Sequence, residues 1–187
     1  IVLGIIGLGG YVRLNKAGLS IVKWDLLRVH VPRSDEEWER EFEEYKKHPQ
    51  YKNDFTDMSL DEFKFIYKLE KWHRQLGKGL GVVFIIPFVI FAKKRFIQRT
   101  LILSSLGIFS LGGLQALIGL WMIKSGLKEN LGENYEKRDV KVSPYRLALH
   151  FSFGLLIFYF LFRMGLFLVT KPQILKSSIL FAPSANN

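Results

Sequence analysis

The sequence predicts an all-α integral membrane protein, a four-helix bundle with a partly helical outer loop. Long apolar runs alternate with short polar connections, and 49% of the 187 residues are hydrophobic. The charges are segregated, since residues 11–70 contain thirteen of the seventeen acidic groups and eleven of the 27 basic ones. A soluble domain spreads its charges over its whole surface, so this pattern favours a membrane protein with one large polar segment.

Residues 100–123 are the clearest membrane span, because they carry no charge over a full bilayer thickness between Arg99 and Lys124. A second span is predicted over residues 71–92, and a third within residues 143–170. Three spans are therefore predicted from length and hydropathy.

The first apolar run, residues 1–10, is shorter than the roughly 20 residues that cross a bilayer. We interpret it as the end of a fourth membrane helix that begins before Ile1.

The connection at residues 93–99 contains four cations in a very short loop. The positive-inside rule places it on the cytoplasmic or matrix side. Residues 11–70 and 124–142 are then outer segments, facing the intermembrane space or periplasm, and residues 171–187 form an inner tail.

The long outer segment is predicted to contain short helices. Ser34 to Glu37 and Ser59 to Glu62 both read as capping boxes, in which the serine and glutamate satisfy free amides at a helix start. Aromatic residues follow each box at helical spacing. The second of these helices is expected to run straight into the span at 71–92.

Composition narrows the possible partners. With no cysteine, neither a disulfide framework nor a thiolate metal site is available. The net charge of +10 sits at the ends of apolar runs, where anionic headgroups of membrane lipid attract it. No nucleic-acid partner is expected, because such a partner needs a continuous basic surface.

Two of the four histidines are candidates for chemistry. His30 and His48 lie beside prolines in the outer segment and are interpreted as solvated or structural. His73 and His150 each lie at the outer end of an apolar helix, where an imidazole needs a partner. Both lie about 30 Å from the inner boundary at the helical rise per residue, on helices that run parallel. The two rings could therefore meet at one level of the bundle.

Paired imidazoles from facing helices commonly hold haem iron. The spacing equally allows two histidines that hydrogen-bond to neighbouring helices. Zinc is less favoured, because a third and fourth ligand are lacking at usable spacing.

Three further charged residues surround this level. Glu70 lies three residues before His73 on the same helix face, where it could orient the imidazole, transfer protons or, most commonly, pair with Arg74. Arg74 and Arg146 lie where haem propionates would leave the bilayer, since guanidinium binds carboxylate bidentately. Interfacial snorkelling of both arginines is an equal alternative.

Several motifs in the same order resemble those of the haem A synthase family over residues 8 to about 160. They are GGYVRL and AGLS with Trp24 after the first helix, EEWEREFEEYKKHPQY in the outer loop, EKWHR around His73, GLQ and WMIKSGL on the third helix, and VSPYRLALH ending at His150. The long cysteine-free outer loop resembles the mitochondrial and proteobacterial branch. Val12, Lys68, Leu69 and Lys78 depart from the family pattern.

The resemblance implies half of an eight-helix oxidoreductase (a monooxygenase) that converts a methyl group of haem O to the formyl group of haem A for cytochrome c oxidase. It implies that His73 and His150 bind the substrate haem, that Glu70 is the catalytic carboxylate, and that a haem b lies in a second half of the protein. Implied partners are that half, haem O synthase or respiratory-complex subunits. The implied location is the mitochondrial inner membrane, with the bacterial plasma membrane as the alternative.

Two other interpretations stay open at this point. A membrane cytochrome that only passes electrons would need the same paired histidines. A structural subunit of a respiratory assembly, derived from the synthase and lacking its second half, would need no haem.

Overall fold

A computed structural model describes residues 1–21, 31–128 and 142–180, with side chains for 1–21, 31–126 and 142–170. These residues form six α-helices and one short 3-10 helix, and no strand occurs among them. The elements are α1 (Val2–Leu14), the 3-10 helix (Ala17–Leu19), α2 (Asp35–Lys46), α3 (Pro49–Asp54), α4 (Leu60–Lys93), α5 (Arg99–Lys128) and α6 (Pro144–Leu180).

Three of these helices, α4, α5 and α6, are long and apolar enough to cross a membrane. Helix α1 is apolar but has only 13 residues. The predicted fold class, an all-α membrane bundle, is confirmed. Trp72, Trp121 and Tyr145 are exposed in α4, α5 and α6, each at the end of the apolar stretch opposite the loop at residues 93–99, as in the aromatic belts of membrane proteins.

The four apolar helices pack as a square. Helix α1 contacts α4 and α6, and α5 also contacts α4 and α6. Helices α4 and α6, which carry His73 and His150, therefore occupy opposite corners, with α1 and α5 between them.

Helix α4 starts well outside the apolar zone and continues into it without interruption. Ser59 caps it with a full capping box, since its hydroxyl accepts from the Glu62 amide while the Glu62 carboxylate accepts from the Ser59 amide. At α2 the Ser34 hydroxyl also accepts from the Glu37 amide, but the Glu37 carboxylate accepts from the Arg33 amide at 2.7 Å. Both helices start where predicted. At α2, however, the Glu37 carboxylate accepts from the amide one residue before the capping serine rather than from the serine itself.

The outer segment has an aromatic core. Tyr45 and Phe63 are fully buried, and their rings stack at 5.2 Å between centroids. The Tyr45 hydroxyl donates to Gln50 at 2.9 Å, and the Gln50 amide donates to the Lys16 carbonyl at 2.9 Å. Burial raises the pKa of Tyr45 well above its usual range, so this hydroxyl remains a donor. These contacts fasten α2 and α3 to the end of α1 and the start of α4.

The loop between α4 and α5 closes the C-terminal end of α4 with a tight turn. The Phe96 amide donates to the Phe91 carbonyl, the Arg95 amide donates to the Ala92 carbonyl, and Arg95 has a φ of 57°. The rings of Phe91 and Phe96 lie 6.4 Å apart. This is the Schellman arrangement, with an arginine in the left-handed position where glycine is usual.

Two helices extend further than the predicted spans. Helix α5 continues past residue 123 to Lys128, and α6 continues past residue 170 to Leu180, within the segment assigned to an inner tail. The extension of α6 includes Pro172, which cannot donate a backbone hydrogen bond within the helix. His30, Trp24 and residues 129–141 and 181–187 lie outside the described part of the chain.

Candidate functional site

The imidazole of His73 lies against the backbone of α1. A Cβ atom built on Gly9 would be 2.9 Å from His73 Cε1 and 3.4 Å from Nε2. The ring is also within hydrogen-bonding reach of the main chain of Ile5, one turn earlier on α1. Because Gly9 has no side chain, the nitrogen-bearing edge of the ring can approach α1 this closely.

The imidazole of His150 has the same relationship to α5. A Cβ atom built on Gly119 would be 2.8 Å from His150 Cε1 and 3.2 Å from Nδ1. Gln115, one turn earlier, donates from Nε2 to the His150 carbonyl at 2.8 Å and lies 3.5 Å from the ring Nε2. Each histidine on one diagonal thus faces a glycine on the other diagonal.

Both rings keep a buried nitrogen without a hydrogen-bond partner. Nδ1 of His73 and Nδ1 of His150 are shielded from solvent and meet no donor or acceptor within the described residues. The rings are also close enough for His150 to affect the electrostatics at His73. A buried imidazole nitrogen without a partner costs free energy, which a bound metal centre would relieve.

This arrangement fits a haem better than a bare ion. Within the described residues no group of three or more His, Cys, Asp or Glu is placed to hold a metal ion. A macrocycle brings four ligands of its own, so the protein need supply only imidazoles. Gly9 and Gly119 at the two remaining corners let each imidazole approach the neighbouring helix.

Glu70 is buried on α4, one turn before His73, and both of its carboxylate oxygens accept hydrogen bonds. Its Oε2 accepts from the Ser20 hydroxyl at 2.6 Å and from the Ile21 amide at 3.0 Å, and its Oε1 accepts from the Arg74 guanidinium. The predicted ion pair with Arg74 is therefore present. The same carboxylate ties the 3-10 helix to α4, one turn from His73.

Arg146, in the first turn of α6, packs against Trp121 of α5. Its guanidinium carbon is 4.3 Å from the centroid of the Trp121 indole, and Nη1 donates to the Trp121 carbonyl at 3.2 Å. Arg146 and Arg74 thus sit one turn from His150 and next to His73 respectively, each with its guanidinium group already oriented by a neighbour.

His48 is half-buried at the start of α3, where burial lowers its pKa below the ordinary value. It lies away from the bundle, in keeping with the structural role expected for it.

The chain matches the model of the cytochrome oxidase assembly protein family, COX15-CtaA, over residues 1–183. It is 44% identical to Heme A synthase COX15 of Arabidopsis thaliana over 90% of the chain, and 40% identical to Heme A synthase of Nitrosomonas eutropha over 91% of the chain. It is also 37% identical to a Heme A synthase-mitochondrial ferredoxin fusion protein of Schizosaccharomyces pombe over 95% of the chain.

The chain belongs to the COX15-CtaA family. It spans 36% of the Arabidopsis relative, 46% of the Nitrosomonas relative and 29% of the fusion protein. No solved structure matches it. The predicted family relationship is thus confirmed. The site described above lies within the residues that match the family model.

Three residues at this COX15-CtaA site were not given a role from sequence, namely Gly9, Ser20 and Gln115. Gln115 could have been found, because a lone amide inside the charge-free run of 100–123 requires a polar partner. Gly9 and Ser20 carry no comparable local signal, since their partners are 64 and 50 residues away in the chain.

Proposed function

We propose that this chain is the part of a haem A synthase that binds haem O and presents one of its methyl groups for oxidation to a formyl group. The observation that carries the proposal is the pair of buried, unpartnered imidazole nitrogens on α4 and α6. The glycines facing them on α1 and α5 support it, because a side chain there would fill the space beside each ring.

In this proposal His73 and His150 would hold the iron of the substrate haem. They lie on α4 and α6, at opposite corners of the bundle. The alternative is that both histidines only form hydrogen bonds to neighbouring helices. It is disfavoured because each ring retains a buried nitrogen without a hydrogen-bond partner.

Arg74 and Arg146 are proposed to bind the propionates at the outer surface. Both lie beside a proposed ligand, and Trp121 holds the Arg146 guanidinium in place. A guanidinium that is already oriented loses less entropy when it binds a carboxylate.

Glu70 is proposed to handle protons near the reacting methyl group, one turn from His73. Three donors hold its carboxylate, so proton transfer requires the Arg74 pair to open. If Arg74 turns toward a propionate when haem O binds, Glu70 becomes available at that moment.

The stoichiometry of the methyl oxidation determines which reactants must be supplied. Each of two hydroxylations consumes one O₂, two electrons and two protons and releases one water, and the resulting geminal diol loses a further water to give the aldehyde. Iron and O₂ supply the oxidising power, and the chain supplies ligands, position and a proton path. The electron donor is proposed to be a one-electron iron–sulfur protein of the ferredoxin class, since one relative is fused to a ferredoxin.

The location proposed is the mitochondrial inner membrane, supported by the Arabidopsis and fission-yeast relatives. The proposed partners are the remaining part of the synthase, with its haem b, and the haem O synthase that supplies the substrate. The product would serve cytochrome c oxidase, in keeping with the family description.

The experiment is conversion of haem O to haem A by the full-length protein carrying His73→Ala or His150→Ala. Both variants should lose haem A formation, and His48→Ala, the matched control outside the bundle, should keep it. Unchanged haem A production in the first two variants would remove the proposed function.

A further inference from the structure

Arg13, in the last turn of α1, is a partly buried cation to which the proposed function gives no role. Its side chain forms no hydrogen bond or ion pair within the described residues. The two other arginines near the histidines are engaged, since Arg74 pairs with Glu70 and Arg146 packs on an indole ring. Withdrawing a guanidinium group from water costs free energy unless an anion accompanies it. Arg13 is therefore a candidate for binding an anion.

The direction of Arg13 follows from the contacts of its neighbours on α1. Gly9 meets the imidazole of His73 on α4. Ile6 lies against α6, because a Cβ atom built on Gly154 would be 3.5 Å from Ile6 Cγ1. At about 100° per residue, Arg13 projects between these two directions, about 40° from Gly9 and about 20° from Ile6. Arg13 therefore faces the space between α4 and α6, the two helices that carry the histidines.

Arg13 and Arg146 lie at the same level of the bundle. Helix α1 ends where α6 begins, since Leu19, just after α1, and Leu147, in the first turn of α6, belong to one apolar cluster. Measured from the contact between α1 and α6 described above, Arg13 is about 11 Å along α1 and Arg146 about 12 Å along α6, towards the same end. The two guanidinium groups are thus carried at one end of the space between the histidine helices.

A cation in the last turn of a helix has an ordinary role, which is to interact favourably with the helix dipole. That role requires no particular direction, and an exposed side chain serves it equally well. The inward direction of Arg13 and its partial burial are left unexplained by it.

We infer that Arg13 binds a propionate carboxylate of the haem proposed for this bundle, alongside Arg146. This inference rests on the proposed function, because the propionates belong to that haem. A guanidinium group donates two parallel hydrogen bonds to a carboxylate, which suits this ligand. Arg74 has to leave Glu70 before it can bind a propionate, whereas Arg13 has no such competing partner.

The test compares haem O with its dimethyl ester, in which both propionates are uncharged. Both are titrated into full-length protein produced in cells that make no haem O, and the bound amount is measured by chromatography relative to haem B. Arg13→Gln should weaken binding of haem O about tenfold or more and leave binding of the ester unchanged. Arg13→Lys keeps the charge but not the paired donors, so its affinity for haem O should lie between those of wild type and Arg13→Gln.

Lys16→Gln is the matched control. It removes one positive charge just after α1, from a side chain that pairs with Asp54 at 3.4 Å instead of facing the histidine helices. Its affinity for both forms of the haem should equal that of wild type.

Two results would overturn the inference and leave the proposed haem site standing. One is wild-type affinity of Arg13→Gln for both forms, which would assign Arg13 to the helix dipole or to lipid headgroups. The other is an equal loss for haem O and the ester, which would indicate a structural effect. If Arg13→Gln fails to fold, Arg13→Lys decides by the same comparison. Wild-type binding of haem O by both His73→Ala and His150→Ala would instead remove the proposed function itself.

Discussion

Gly119 on α5 lies directly against the imidazole of His150 on α6, with its missing side chain pointing at the ring edge. A Cβ atom there would be 2.8 Å from Cε1, closer than carbon atoms normally approach. Gly9 has the same relationship to His73. Without haem, either imidazole can rotate away from an added methyl group. In the proposed haem complex the imidazole would be held in place and could not.

Gly9→Ala and Gly119→Ala should therefore weaken haem binding more than they weaken the fold. Overpacking of this kind costs about 1–3 kcal/mol, which is on the order of tenfold or more in affinity. The measurement is the amount of haem retained per protein after purification, compared between variants and wild type of equal thermal stability.

Gly10→Ala and Gly113→Ala are the matched controls, because a Cβ at either position meets nothing within 4 Å. Equal haem retention in all four variants would show that the glycines do not shape the site.

The Ser20 hydroxyl and the Ile21 amide hold the buried carboxylate of Glu70. Ser20→Ala leaves one oxygen of that carboxylate short of a donor, which costs about 1–3 kcal/mol in a buried site. We expect a lower thermal unfolding midpoint of the purified protein.

Ser110→Ala is the control, since the Ser110 hydroxyl is exposed and donates to the Leu106 carbonyl of its own helix. Its effect should stay within about 0.5 kcal/mol. Equal midpoints for the two variants would show that the Ser20 contact contributes nothing.

Much of this architecture follows from the sequence because it is local. The three long spans depend on composition, and the helix starts at Ser34 and Ser59 depend on capping. The contacts that hold the site residues in place could not be predicted from the sequence. Ser20 meets Glu70, and Gly9 meets His73, only through packing of distant segments, which no short pattern encodes.

His48 gives the outer segment a pH dependence. Burial lowers its pKa below the ordinary value of 6.5, so the unfolded chain binds a proton more readily than the folded chain. Its contribution to stability is present above about pH 6.5 and is lost as pH falls through the lower folded value. Amide exchange of α2 and α3, corrected for intrinsic rates, should show less protection at pH 5.5 than at pH 7.5.

His48→Gln should reduce that dependence, since glutamine does not titrate. No capping hydrogen bond is lost, because the His48 side chain makes none to α3. If the variant and the wild type lose protection equally between these pH values, His48 is not the responsible group.

Arg95 occupies a left-handed position, with φ at 57°. Arg95→Gly should stabilise the protein by about 0.5–1 kcal/mol, because relief of the left-handed strain exceeds the added chain entropy of glycine. Thermal unfolding in detergent measures it.

Lys94→Gly removes the same charge from a right-handed position, with φ at −78°, and should destabilise by a similar amount. Shifts of the same sign in both variants would assign the effect to charge rather than to backbone conformation.

The identity of the haem proposed to bind at His73 and His150 is the most direct test of the whole account. Haems extracted from the purified full-length protein and separated by chromatography should include haem O or haem A in the wild type. His73→Ala and His150→Ala should each lose these two haems and keep haem B from the rest of the protein. Retention of haem O and haem A in both variants would contradict the account.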